Sequence, residues 1–255
     1  MKYLLQRIIF PEIKDSTYAE LFMRSSKIRC NGFDKINDIL SELEFNTWMN
    51  LFAAKKWFHY TEVRDLYLGI DIQGTFSIEV IGSNRNSAYD KIEERVICKE
   101  FVDNKDCIYL KVDNAGKYDA VYLTLKYTKN CPCKITSIGW YTETNPCRKN
   151  RLAIVTCTYK RENYIANTIK MFECYLDGKT LDESSSYKYT HVYHNMNAGG
   201  AGGFGRGLIE ACKSDKEYTR CLFMDDDVEI MPESFYRRLV LSDYLKDKYK
   251  NALIN

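Results

Sequence analysis

The sequence predicts a two-domain α+β chain: an antiparallel β-sandwich over residues 1–148, then an α/β unit over residues 149–255. Three observations carry this. Between residues 66 and 141 six apolar segments follow one another without a helical pattern between them. A polar, proline-marked break, Asn145-Pro146-Cys147-Arg148-Lys149-Asn150, ends that run. Leu152–Thr158 is then a near-continuous apolar stretch of the kind found in buried parallel strands, and strand and helix patterns alternate after it.

Composition sets the bounds. With 255 residues, 45% apolar and 28% charged, the chain can bury a substantial core and is no disordered polymer. The net charge of +2 is spread evenly, 21 Lys/Arg against 20 Asp/Glu in residues 1–148 and 16 against 15 afterwards, which argues against nucleic acid as the partner. No window approaches the roughly 20 apolar residues of a membrane span, and Gln6 and Arg7 interrupt the start before a signal core forms, so a cytoplasmic location is expected. Most of the ten cysteines sit singly in apolar runs and read as reduced, buried thiols. Cys131-Pro132-Cys133 with Cys147 lacks both the spacing and the fourth ligand of a zinc site.

Residues 1–60 are irregular in pattern, and Phe45, Trp48, Phe52, Trp57, Phe58 and Tyr60 are expected to fill a core under a sheet rather than form a sugar-stacking platform. From Leu66 the period is two, and Gln73-Gly74 supplies turn chemistry, so residues 66–82 predict a hairpin. Strands follow at Glu94–Phe101, Cys107–Val112, Ala120–Tyr127 and Lys134–Tyr141. In the second half, Leu152–Thr158 is a strand, Tyr164, Ile165, Ile169, Phe172 and Leu176 mark a helix, His191–Asn195 a strand, about Phe204–Ser214 a helix and Arg220–Met224 a strand.

Two segments carry chemistry. Six of the thirteen glycines fall within Gly199–Gly207, and glycines between a strand and a helix let backbone N–H groups meet a phosphate, the favoured reading over close helix–sheet approach alone. Gly200, Gly202 and Gly205 also match the dinucleotide spacing, with Asp225 twenty residues on, which keeps a nicotinamide-dependent oxidoreductase open. Asp225-Asp226-Asp227 weighs against it: three adjacent carboxylates after an apolar strand repel one another, and a cation relieves that. In an extended segment Asp225 and Asp227 point one way and can share a hydrated Mg²⁺ or Mn²⁺, while Asp226 points the other. An acidic turn preceding the helix that starts near Pro232-Glu233 is the bland alternative. Arg161 follows the first strand of the α/β part, at the edge where such sheets bind ligands, and suits a base or phosphate. His191 and His194 fall on opposite faces of their expected strand and are not a metal pair.

The segments Ile154-Val155-Thr156-Cys157-Thr158-Tyr159-Lys160-Arg161, Asn197–Gly207 and Phe223-Met224-Asp225-Asp226-Asp227-Val228 together resemble galactofuranosyltransferases of glycosyltransferase family 2, of the type that polymerises cell-wall galactan. Leu5-Gln6-Arg7-Ile8-Ile9-Phe10-Pro11 and Phe45-Asn46-Thr47-Trp48-Met49-Asn50 resemble that family's N-terminal, jelly-roll-like β-sandwich, so the resemblance spans nearly the whole chain. It implies that residues 149–255 are the N-terminal portion of a GT-A, Rossmann-like domain that binds a nucleotide sugar. It further implies Mn²⁺ or Mg²⁺ at Asp225 and Asp227, donor contact by Asp226, Arg161 near the uracil, and a UDP-galactofuranose donor. Asn197, Gly199, Gly200, Gly202 and Gly203 would border the donor. Asp177, in Leu176-Asp177-Gly178-Lys179-Thr180-Leu181, stands where the family has Asp-Asn-Gly after a strand, which here looks lost or fused to the helix before it.

The acceptor would be a glycan or glycolipid, which leaves room for peripheral contact with the inner face of the membrane and for a homo-oligomer. Family members continue past the aspartates into a carboxylate base and a histidine ligand. The base is therefore expected beyond Asn255, with Glu229 and Glu233 poor substitutes, and slow or no transfer is expected of this chain alone. A non-enzymatic glycan-binding protein using the front sandwich is the further alternative.

Overall fold

The computed structural model describes residues 1–10, 19–25, 42–86, 91–103, 107–127, 134–177, 188–228 and 230–251. The chain is mixed α+β. It divides into two compact units, the first comprising 1–147 together with the stretch from Tyr244, the second 148–243.

The first unit holds two antiparallel sheets. Strands β1 (Tyr3–Arg7), β4 (Tyr67–Gln73), β7 (Ile108–Lys111) and β9 (Lys134–Thr142) form one, in the order β1-β9-β4-β7. Strands β2 (Arg24–Ser25), β3 (Glu42–Glu44), β5 (Thr75–Arg85), β6 (Lys91–Asp103) and β8 (Ala120–Tyr127) form the other, in the order β2-β3-β8-β5-β6. Helices α1 (Ala19–Phe22) and α2 (Ala54–Tyr60) complete it.

The alternation that marked the strands is the burial pattern. Leu68, Ile70 and Ile72 of β4, Phe76, Ile78 and Val80 of β5, and Val121, Leu123 and Leu125 of β8 are all buried. On β9 the buried hydrophobic side chains are Ile135, Ile138 and Trp140, a change of parity made possible by the register shift opposite Asp71/Ile72. The Phe52 ring lies 5.8 Å from that of Trp140 and 5.4 Å from that of Trp57. The expected hairpin over 66–82 is corrected: β4 and β5 belong to different sheets. A single residue, Gly74, joins them at φ +111°, too short a link for a hairpin loop but enough, with glycine's freedom, to turn the chain from one sheet into the other.

Much of the aromatic stretch fills the core, as Phe45, Phe52 and Trp57 show, but Trp48 is 84% exposed. It sits on a turn held by buried Asn50, whose Nδ2 donates to the Ile9 and Phe22 carbonyls and whose Oδ1 accepts from Ile9 N–H. Beyond Tyr244, the chain pairs Leu245 with Thr61, and Lys246 Nζ donates to the Phe58 and His59 carbonyls at the end of α2.

The thiols depart from expectation in their burial. Of the described cysteines Cys174 is buried, Cys107, Cys147 and Cys212 are exposed, and all seven are unpaired. Burial pushes the half-buried Cys98 and Cys221 thiols up. Cys30, Cys131 and Cys133 lie outside the described residues. No described helix is long and apolar enough to cross a membrane.

Glu79, mid-strand in β5, accepts from Lys99 at 2.7 Å and lies 3.8 Å from Lys126, one partner from each neighbouring strand. The hydrogen bond from Lys99 is the main cause that holds it below the usual glutamate range. A lowered folded pKa stabilises above the unfolded value and is lost as pH falls through the folded one. Glu79→Gln should therefore lower stability at neutral pH by less than about 1 kcal/mol and flatten the acid limb of a pH–stability curve, read by urea melts between neutral and acid pH.

Candidate functional site

The second unit contains a parallel pair, β10 (Leu152–Thr156) and β11 (Arg220–Met224), in register from Leu152↔Arg220 to Thr156↔Met224. Its helices are α3 (Glu162–Asp177), α4 (Gly199–Lys213) and α5 (Pro232–Tyr244), the last leaving the unit at Asp243. Two sequence expectations fail here. Residues 191–195 form no strand and are exposed throughout, and the helix expected from Phe204 starts at Gly199, so the glycines lie inside a helix instead of in a loop before it.

Packing explains why a helix tolerates them. A Cβ on Gly203 would stand 2.0 Å from Cys157 Sγ, and one on Gly207 would stand 2.2 Å from Val155 Cγ1. These two glycines, one turn apart, form a flat strip that lets α4 lie directly on β10. Their partners also give the direction: Gly203 meets residue 157 and Gly207 residue 155, so α4 runs antiparallel to β10. Its N-terminus consequently points to the carboxyl edge of the parallel pair. There the helix has space among the described residues: at Gly199, φ +68°, none of them lies within 4 Å of an added Cβ, and at Gly200 the Phe204 ring stands at 3.9 Å. Ala198 offers no side-chain cap, and Asn197 Oδ1 accepts from Gly199 N–H at 3.2 Å. The dinucleotide spacing loses its basis. Gly205, which should pack helix on strand, faces open space, and Gly202 comes closest to Ala198, 2.4 Å from its Cβ.

The acidic triplet follows β11 directly, at the same edge. Asp225 and Asp227 are exposed and Asp226 is buried. Arg161, which follows β10, reaches across: its Nη1 donates to Asp227 Oδ2 at 2.6 Å and to Asp226 Oδ1 at 3.2 Å. The Asp227 bond, then the Asp226 charge, push the guanidinium further above its ordinary value. Lys160, immediately before it, has a left-handed backbone at φ +57°, an uncommon state for a lysine. Among the described residues no three His, Cys, Asp or Glu side chains gather to hold a metal ion. A Mg²⁺-type ion needs less than that: one or two carboxylates, with phosphate oxygens and water completing its shell, which is what Asp225 and Asp227 can offer.

The other candidates stand apart. Asp177 is the last residue of α3, and residues 178–181 lie outside the described residues, as does Glu229. His191 and His194 are both exposed. Two buried carboxylates went unnoticed in the sequence as structural ties. Glu173 accepts from Lys188 N–H, Tyr189 N–H and Thr190 Oγ1, fixing the chain on its way to α4. Glu233 pairs with Arg237 at 3.1 Å and accepts from the Tyr175 hydroxyl. Burial pushes the Arg237 guanidinium below its ordinary value, against the pull of Glu233. A carboxylate outside the charged runs, followed by an arginine four residues on, was the available signal.

The relatives of this chain are glycosyltransferases. It is 23% identical over 228 residues to the galactofuranosyltransferase GlfT2 of Mycolicibacterium smegmatis, with 81% of this chain and 35% of the relative covered. It is 21% identical over 231 residues to GlfT2 of Mycobacterium tuberculosis, with 81% and 36% covered. Residues 5–143 match the family model Galactofuranosyltransferase 2 N-terminal, and the chain belongs to that family. It spans about a third of the length of the curated relatives it matches. Among solved structures, the Glycosylation Associate Protein (Gap123) complex from Streptococcus agalactiae is 8% identical with a TM-score of 0.26, covering 63% of this chain and 54% of that one, too slight a likeness to indicate a shared fold.

Proposed function

We propose that the second unit is the donor-binding part of a GT-A-type, divalent-metal-dependent, inverting glycosyltransferase of family 2 that takes a UDP-sugar, UDP-galactofuranose, and serves a glycan or glycolipid acceptor. The observation that carries this is the meeting, at the carboxyl edge of β10 and β11, of Arg161, the Asp225–Asp227 turn and the open N-terminus of α4. A nucleoside diphosphate needs such a place: N–H groups and a helix dipole for its phosphates, and an arginine for phosphate or base. Asp225 and Asp227 would hold a Mg²⁺ or Mn²⁺ ion, which when bound neutralises charge on the departing diphosphate. Asp226, buried beside Arg161, fixes the turn. Asn197, holding Gly199 N–H, shapes the entry to α4. An inverting transfer also needs a base for the acceptor hydroxyl. Glu233 is engaged with Arg237 and Tyr175 and does not fill that role.

Calorimetry with UDP and Mn²⁺, set against NAD, tests the reading. UDP should bind only with the divalent ion, NAD should not bind, and Asp225→Asn or Asp227→Asn should weaken UDP–Mn²⁺ at least about tenfold, the loss of one charged ligand contact. NAD binding, or UDP binding indifferent to both substitutions, would defeat it.

A further inference from the structure

We propose that Arg161 is the resident counter-cation of the acidic turn, which a divalent ion must displace from Asp227, so that metal and nucleotide bind in concert. This rests on the donor-site reading above and concerns how that site is regulated.

The geometry is specific. One nitrogen, Nη1, serves two carboxylates, at 2.6 Å to Asp227 and 3.2 Å to Asp226. The Asp226 side chain is 9% exposed and Asp227 51%, so the guanidinium neutralises a buried charge while resting on an accessible one. Asp225 has no hydrogen bond or ion pair among the described residues, so an incoming ion meets one open carboxylate and one already occupied. An ion at Asp227 would stand within a few ångströms of the guanidinium, and two cations there repel. The arginine has somewhere to go. It lies at the strand edge toward which α4 points, where a diphosphate would accept its N–H groups. A nucleotide that draws Arg161 away uncovers Asp227 for the metal, and by reciprocity the metal improves nucleotide binding.

Titration calorimetry of the whole chain with Mn²⁺ alone, then with UDP present, tests this on wild type, Arg161→Ala and Arg161→Gln. The glutamine variant keeps a donor for buried Asp226 should alanine fail to fold. Without UDP, both variants should bind Mn²⁺ roughly three- to tenfold more tightly than wild type, the scale of a lost exposed ion pair with relieved repulsion. UDP should raise Mn²⁺ affinity in wild type and do so far less in the variants. Mn²⁺ should also raise the melting temperature more in the variants. Saturable Mn²⁺ binding by wild type with no gain in either variant overturns the displacement alone. No saturable binding by any of the three overturns the donor-site reading and this inference with it.

Discussion

Gly207→Leu will strip α4 from β10, at a cost to the second unit of about 3 kcal/mol or more. The first atom of any side chain at 207 would stand 2.2 Å from Val155 Cγ1 and 3.3 Å from its Cβ and Cγ2. Valine is stiff at χ1 and cannot swing clear. Even alanine, which in an exposed helix position gains about 1 kcal/mol over glycine, should here be a net loss. Gly205→Ala, on the same helix with no described residue within 4 Å, is the control and should stabilise by about 0.5–1 kcal/mol. Combining Gly207→Ala with Val155→Ala should recover part of the loss, because neighbours in contact are not additive. Trp48, Trp57 and Trp140 all lie in the first unit, so tryptophan fluorescence should not move. Hydrogen exchange of the amides 199–213 should accelerate in Gly207→Leu and slow in Gly205→Ala. Equal exchange in both would show that the strip is not a packing surface.

That contrast also explains what the sequence could and could not reveal. A period of two is a property of single strands, so β4, β5, β6, β7, β8 and β9 were visible one by one. Sheet membership depends on partners far along the chain, so the single-residue crossing at Gly74 looked like a hairpin. The glycine run was conspicuous, yet its meaning divides by position: Gly199 and Gly200 leave the helix start open, whereas Gly203 and Gly207 admit Cys157 and Val155, and only the strand's location separates the two. The segment 191–195 has strand composition, but its apolar residues Val192 and Tyr193 face solvent, and no strand among the described residues pairs with it. The aspartates stood out through charge density. Their pairing with Arg161, sixty-six residues before Asp227, is a tertiary fact that composition does not encode.

Glu233→Ala should be the most damaging single change near the acidic turn, costing about 3–5 kcal/mol. The Glu233 side chain is 3% exposed and that of Arg237 18%, so removing the carboxylate takes the charged partner from a guanidinium with little water to solvate it and an acceptor from the Tyr175 hydroxyl. Glu233→Gln keeps an acceptor and should cost less. Glu233→Leu with Arg237→Met removes both charges and should be milder than Glu233→Ala, because an apolar pair needs no solvation. The tie matters to the site through the chain's path. Tyr175 belongs to α3, Glu233 to the first turn of α5, and only residues 228–231 separate that turn from Asp227. Anchoring α5 to α3 therefore limits how far the aspartates can drift from Arg161. At a temperature where Glu233→Ala remains folded, its affinity for UDP with Mn²⁺ should fall several-fold while that of Glu233→Gln stays near wild type. A Glu233→Ala protein that melts early yet binds UDP–Mn²⁺ as wild type does would make the trio a stabilising element with no hold on the acidic turn.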